Sequence, residues 1–196
     1  MWLNGIQRVS VESIRRCHKG AKIPAVTSGA VSTVTPERRV MGSVSQREGE
    51  MSAEVTATRE CVIFDLDGTF AFLGDRSPYD ASRCEGDEVN AAVHFVYEAI
   101  RQGKPETAVL LVSGREDRWR AETERWLERH GVIADGLFMR RAGDRRKDTV
   151  VKREIYERHI AGHYIVRVVF EDRDQVVRLW RDELDLPCFQ VAWGDF

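Results

Sequence analysis

Residues 61–70 read CVIFDLDGTF, and the fold follows from how this stretch is read. Cys61, Val62, Ile63 and Phe64 form a short apolar run rich in strand formers, as expected of a buried strand. A buried strand has no structural use for two carboxylates at its end. Side chains two apart leave a strand on the same side, so Asp65 and Asp67 project together from its tip. Crowded carboxylates repel, and one pKa rises unless a cation intervenes. The stretch therefore predicts one ionised aspartate, one able to carry a proton, and a metal nearby. In α/β sheets, chemistry sits where strands end.

Working outward, residues 107–112 (TAVLLV) and 165–170 (IVRVVF) read as further buried strands. The first ends at Ser113-Gly114-Arg115 and the second at Glu171-Asp172-Arg173. Residues 137–140 and 188–192 make shorter strands. Helices are expected between them. Asp87 caps one running to about Gln102, with Val89, Val93, Val96 and Ile100 as its apolar stripe. A second spans about 116–130, with Trp119, Thr123, Trp126 and Leu127 on one face and Gly131 closing it. A third starts at an Asp148 cap and carries Val151, Ile155 and His159, and a fourth carries Val176, Leu179 and Trp180. By spacing, Trp119, Trp126 and Trp180 fit core positions better than stacking platforms. Alternating strands and helices predict an α/β fold, a Rossmann-like parallel sheet with helices on both faces. Residues 71–86 form a polar loop too short for a large cap domain.

Composition sets the outer limits. The chain has 196 residues, 42% hydrophobic and 32% charged, with a net charge of −2, as for a soluble globular domain. Residues 1–50 and 140–158 each hold eight Lys/Arg and four Asp/Glu, so positive charge is concentrated there. Residues 1–57 lack periodicity and predict a disordered basic segment; an organellar transit peptide, or translation starting at Met41 or Met51, are the other readings. Residues 58–196 form the folded domain. Cys17, Cys61, Cys84 and Cys188 show no metal-ligand spacing, which suits reduced thiols in a cytoplasmic protein. No apolar run approaches the roughly 18 residues of a membrane span.

Four polar clusters fall at strand ends or helix starts: Asp65/Asp67, Ser113/Arg115, Asp148/Lys152 and Glu171/Asp172. Their order resembles the four motifs of the haloacid-dehalogenase-like phosphohydrolases. On that resemblance Asp65 is the nucleophile and Asp67 the general acid/base. Ser113, Gly114, Arg115 and Lys152 bind the phosphoryl group, with Asp148 and Glu171 supporting. Asp65, Asp172 and the backbone carbonyl of Asp67 ligate Mg²⁺, a hard ion that takes oxygen ligands. Singly, each cluster has a bland alternative: a turn, a solvated lysine, a helix cap.

The stretches DLDGT, RSPYD, VSGRE, TERWLERHG, LFMRRAGDRRKDTVVKREIYERHI, EDRDQVVRLWR and QVAWGDF resemble, in order, the 3′-phosphatase domain of bacteriophage polynucleotide kinase–phosphatases. The resemblance implies a Mg²⁺-dependent polynucleotide 3′-phosphatase acting on DNA or RNA ends, including 2′,3′-cyclic phosphates. Arg140, Arg141, Arg145, Arg146 and Lys147 become candidate contacts to backbone phosphates. Glu171 stands where the relative has Asp. No Gly-x-x-x-x-Gly-Lys-[Ser/Thr] phosphate loop is found, so no 5′-kinase activity is expected, and a separate kinase or ligase becomes a candidate partner. Two rivals stay open: a small-molecule phosphomonoesterase on the same scaffold, and a catalytically silent module that binds nucleic-acid ends.

Overall fold

The computed structural model describes residues 59–194. The expected disorder of residues 1–57, and the Asp195-Phe196 ending, lie outside these. Five parallel strands form the sheet: β1 (Arg59–Phe64), β4 (Ala108–Glu116), β5 (Gly136–Arg140), β6 (Tyr164–Glu171) and β7 (Cys188–Gln190). Their order is β5-β4-β1-β6-β7. Two short strands, β2 (Ala71–Phe72) and β3 (Glu88–Val89), pair antiparallel as a separate ribbon beyond β1. Four helices connect the rest: α1 (Ala91–Gly103), α2 (Arg120–Arg129), α3 (Asp148–His159) and α4 (Asp174–Arg178).

The central strands are apolar on both sides because both faces are covered. Along β1, Val62 and Phe64 join Val93 and Tyr97 of α1 and Trp126 and Leu127 of α2 in one buried cluster. Cys61 and Ile63 point the other way, joining Val151 and Ile155 of α3 and Val176 and Val177 of α4. Period-two alternation in one strand thus fixes which helices lie on which face. Cys61, Cys84 and Cys188 are buried free thiols, and burial pushes Cys61 and Cys188 up to about 12.

This order locates the site. From β1 the chain moves to β4 and β5; from β6 it moves the opposite way, to β7. Adjacent strands whose connections diverge leave a crevice at their carboxyl ends. Here that crevice lies between β1, which ends just before Asp65, and β6, which ends just before Asp172.

Several helix starts differ from expectation. Asp87 does not cap α1. Asn90 does, its side chain accepting from the N–H groups of Ala92 and Val93, and Val89 lies in β3. Asp148 is the first residue of α3, and its carboxylate turns to arginines instead of the helix N–H groups. Trp126 and Trp180 are fully buried, whereas Trp119 ends a 3₁₀ turn (Asp117–Trp119) and is only half-buried. For Asp87 and Asp148 a longer-range arginine outcompetes the local helix N–H groups.

Candidate active site

Asp65 follows β1, and its N–H donates to the Phe170 carbonyl of β6 at 3.0 Å. Its buried carboxylate accepts from Lys152 Nζ at 2.7 Å. Lys152 reaches in from α3, buried along its length. The same ammonium donates to Glu171 Oε2 at 2.7 Å and stands 3.7 Å from Asp148 Oδ2. Asp148 is held from the other side by Arg140 Nη2 at 2.9 Å and Arg173 Nη1 at 3.4 Å. A Cβ on Gly114 would lie 2.6 Å from Asp148 Oδ1, so glycine there lets the carboxylate come close. Ser113 Oγ is fully buried and accepts from the Arg115 N–H at 3.2 Å.

Asp172 accepts from Thr69 Oγ1 at 3.2 Å. Gly68 has φ +85°, and a Cβ there would meet Asp172 Oδ2 at 2.1 Å. Glycine is required twice over, by the left-handed backbone and by the closeness of the carboxylate.

Asp67 lies in a different environment. Its Oδ1 accepts from Arg115 Nε at 3.0 Å and Nη2 at 2.7 Å, and from Arg76 Nη2 at 2.5 Å. Behind them, buried Asp87 takes two bonds from Arg76, at 2.7 and 2.6 Å, and one from Arg115 at 2.9 Å. The Asp87 backbone carbonyl accepts from Trp126 Nε1 at 2.8 Å, tying the cluster to the core. Sequence reasoning placed neither Arg76 nor Asp87 in the site. The run RSPYD held the only signal for Arg76. Asp87 gave none, since an aspartate before a helix reads by default as a cap.

The predicted residues Asp65, Asp67, Gly114, Arg115 and Asp148 share one cleft of about 770 Å³. The basic loop before α3 divides. Arg140 is an internal strut, donating to the carbonyls of Gly114, Asp144 and Arg146 as well as to Asp148. Arg146 pairs with Asp144 and Glu154. Arg141, Arg145 and Lys147 are exposed and form no ion pair among the described residues.

Burial, together with neighbouring carboxylates, raises Asp65 and Glu171 above the usual range, although Lys152 opposes the rise in both. Burial and the charge of Asp65 push Asp172 up to about 6. Burial works against the Lys152 charge, but Asp65, Glu171 and Asp148 outweigh it and hold the ammonium well above its ordinary pKa. Asp65, Glu171 and Asp172 each offer an oxygen within 4.8 Å of the others. An all-oxygen, crowded, buried set of this kind fits a hard divalent cation. The Asp67 carboxylate is not in that set, which leaves its backbone carbonyl as the donor it has to offer.

A family model described as "Polynucleotide kinase PNKP phosphatase domain" matches residues 59–196. The chain belongs to this family. A polynucleotide kinase phosphatase domain with the haloacid-dehalogenase-like fold accounts for the sheet order and the paired aspartates, and the chain is a phosphatase. A protein of Autographa californica nuclear polyhedrosis virus, described as a bifunctional polynucleotide kinase/RNA ligase, is 35% identical over 137 residues, covering 69% of this chain and 20% of the relative. Two solved structures are similar. In "Structure of Pnkp1/Rnl/Hen1 complex" a chain aligns with TM-score 0.69 at 44% identity, over 72% of this chain and 48% of that one. In "Structure of the Pnkp1/Rnl/Hen1 RNA repair complex" the TM-score is 0.68 at 41% identity, over 74% and 48%. The chain thus spans a fifth of the viral relative and just under half of each solved chain. No helix among the described residues is long and apolar enough to cross a membrane.

Proposed function

We propose that this phosphatase removes 3′-phosphates from DNA or RNA ends, 2′,3′-cyclic phosphates included, with Mg²⁺ and through an aspartyl-phosphate. The observation that carries this reading is that one turn presents two aspartates at the cleft in unlike surroundings: Asp65 on an ammonium it shares with Glu171, Asp67 on two guanidiniums it shares with Asp87. Paired carboxylates in unlike environments take unlike roles.

Asp65 attacks phosphorus in line; the new carboxylate–phosphorus bond forms as the bond to the 3′ oxygen breaks, and Asp67 gives that oxygen its proton; a 2′,3′-cyclic end needs a second such round to break the remaining bond to the 2′ oxygen. Asp67 then takes a proton from water. The water oxygen bonds to phosphorus, the Asp65 ester breaks, and phosphate leaves. Ser113, the Gly114 backbone, Arg115 and Lys152 hold the phosphoryl oxygens, with Asp148 and Glu171 keeping Lys152 in place. Asp65, Asp172 and the Asp67 carbonyl would hold Mg²⁺, with Glu171 beside them. An ion there would offset repulsion between the attacking carboxylate and the phosphate dianion.

Support for a polynucleotide comes from the family and from Arg141, Arg145 and Lys147, which lie on the loop leading into α3 and are free to meet backbone phosphates. A 3′-hydroxyl is what strand joining needs. Relatives described with a ligase or within an RNA repair complex make a ligase the partner to expect. The test is phosphate release from matched DNA and RNA 3′-phosphate oligonucleotides, with and without Mg²⁺, beside sugar and nucleotide phosphates. Faster Mg²⁺-dependent release from the oligonucleotides is expected. Equal or better turnover of the small esters overturns the substrate. Binding of ends without any release overturns the reaction.

A further inference from the structure

The cleft over Asp65 and Asp67 is lined by two kinds of surface. Arg145, Lys147 and Arg173 supply positive charge. Leu73, Pro78, Tyr79 and Trp119 supply apolar and aromatic area. Neither aromatic belongs to a buried core cluster. Phe64, Phe70, Tyr97 and Phe170 pack edge-on or stacked within the core, and Trp126 joins them. Tyr79, by contrast, is 87% exposed. Among the described residues, neither the Tyr79 nor the Trp119 ring packs on another ring, and neither the Tyr79 hydroxyl nor the Trp119 indole N–H has a hydrogen-bond partner. Two aromatic side chains without a ring or hydrogen-bond partner, both lining the cleft over the paired aspartates, offer area on which a flat group can lie.

We propose that Tyr79 and Trp119 form the surface on which the terminal nucleobase of the 3′-phosphorylated strand stacks, while Arg145 and Lys147 take phosphates further along. The proposal rests on the polynucleotide reading above. The 3′-phosphate and the terminal base belong to one nucleoside, so with the phosphoryl group at Asp65 the base is one sugar away, within reach of the cleft walls. A volume of about 770 Å³ accommodates a nucleotide. Stacking tolerates any base, since each has a π face, so the surface confers a demand for a base without a sequence preference. A base on this surface has left its helix, so unpaired 3′ ends suit it best.

The test compares release of phosphate from an oligonucleotide whose 3′-phosphate sits on an ordinary nucleoside with one whose terminal sugar is abasic. The parent protein is expected to prefer the base-bearing end, by about tenfold or more in kcat/KM, carried mainly by KM. Trp119→Ala and Tyr79→Ala each reduce that preference, and Trp119→Phe restores most of it. Tyr79 is exposed enough that its removal leaves folding intact, and thermal unfolding checks Trp119→Ala. An active parent without the preference overturns the stacking surface alone, as does a preference that both alanine variants retain. A parent inactive on both ends overturns the polynucleotide reading and the surface with it.

Discussion

The two aspartates of one turn anchor two buried charge clusters, and the clusters differ in balance. Around Asp67, the guanidiniums of Arg76 and Arg115 face the carboxylates of Asp67 and Asp87, two charges against two. Around Asp65, the Lys152 ammonium faces Asp65, Glu171 and Asp172. Asp148 is largely answered by Arg140 and Arg173. Counted together, Lys152, Arg140 and Arg173 face Asp65, Glu171, Asp172 and Asp148, three positive charges against four negative. The raised carboxyls fall on the deficient side, where Asp65, Glu171 and Asp172 all prefer a proton more than usual. One cluster is balanced as built, and the other carries an excess of carboxylates.

The largest test of this contrast is Asp65→Asn. It should lower phosphate release by at least about a thousandfold while 3′-phosphorylated oligonucleotide still binds. It also removes a negative charge from the side with too many, so the metal-free melting temperature should stay level or rise. A marked fall would mean the deficit is not real.

Arg115→Ala attacks the balanced side. Arg115 is 2% exposed, and its loss leaves Asp67 and Asp87 sharing Arg76 alone. Breaking a buried pair in this way costs about 3–5 kcal/mol. Urea unfolding should show that loss with and without Mg²⁺; full recovery with Mg²⁺ would contradict the separation of the two clusters.

Magnesium and pH act on the deficient side. Burial and Asp65 raise the Asp172 carboxyl from 3.8 to about 6. A carboxyl raised in the fold stabilises fully below pH 3.8, and that stability is lost as pH rises through about 6. Mg²⁺ needs the ionised form, so it should stabilise strongly at pH 7.5 and weakly at pH 5. At a hundredfold excess over Kd the gain is about 2.7 kcal/mol, roughly 5–10 °C in Tm. An equal shift at both pH values would remove Asp172 from the metal site.

The smallest effect belongs to the scaffold. Asn90→Ala removes the α1 cap and a 3.0 Å bond to the Thr69 carbonyl. A loss of about 1 kcal/mol is expected in urea unfolding, with kcat little changed.

Much of the deficient cluster was legible in the sequence. Asp65, Lys152, Glu171 and Asp172 sit at strand ends or on a helix, where local pattern and a resemblance to known motifs both point. The balanced cluster was only half legible: Asp67 and Arg115 could be read, but Arg76 sat in a loop and Asp87 posed as a helix cap. Trp119 misled for a related reason. Its spacing matched the Trp126 face, but a 3₁₀ turn preceding α2 placed it at the cleft.

By itself, the sequence determined the strands of the parallel sheet, their order of chemistry and the turn that presents Asp65 and Asp67. These follow from short continuous apolar runs and a glycine, which act within a few residues. Only the tertiary structure decided where each carboxylate spends its charge. Asp87 meets Arg115 across 28 residues, and Lys152 meets Asp65 across 87. Coulomb energy depends on distance in space and on burial, neither of which a local pattern records.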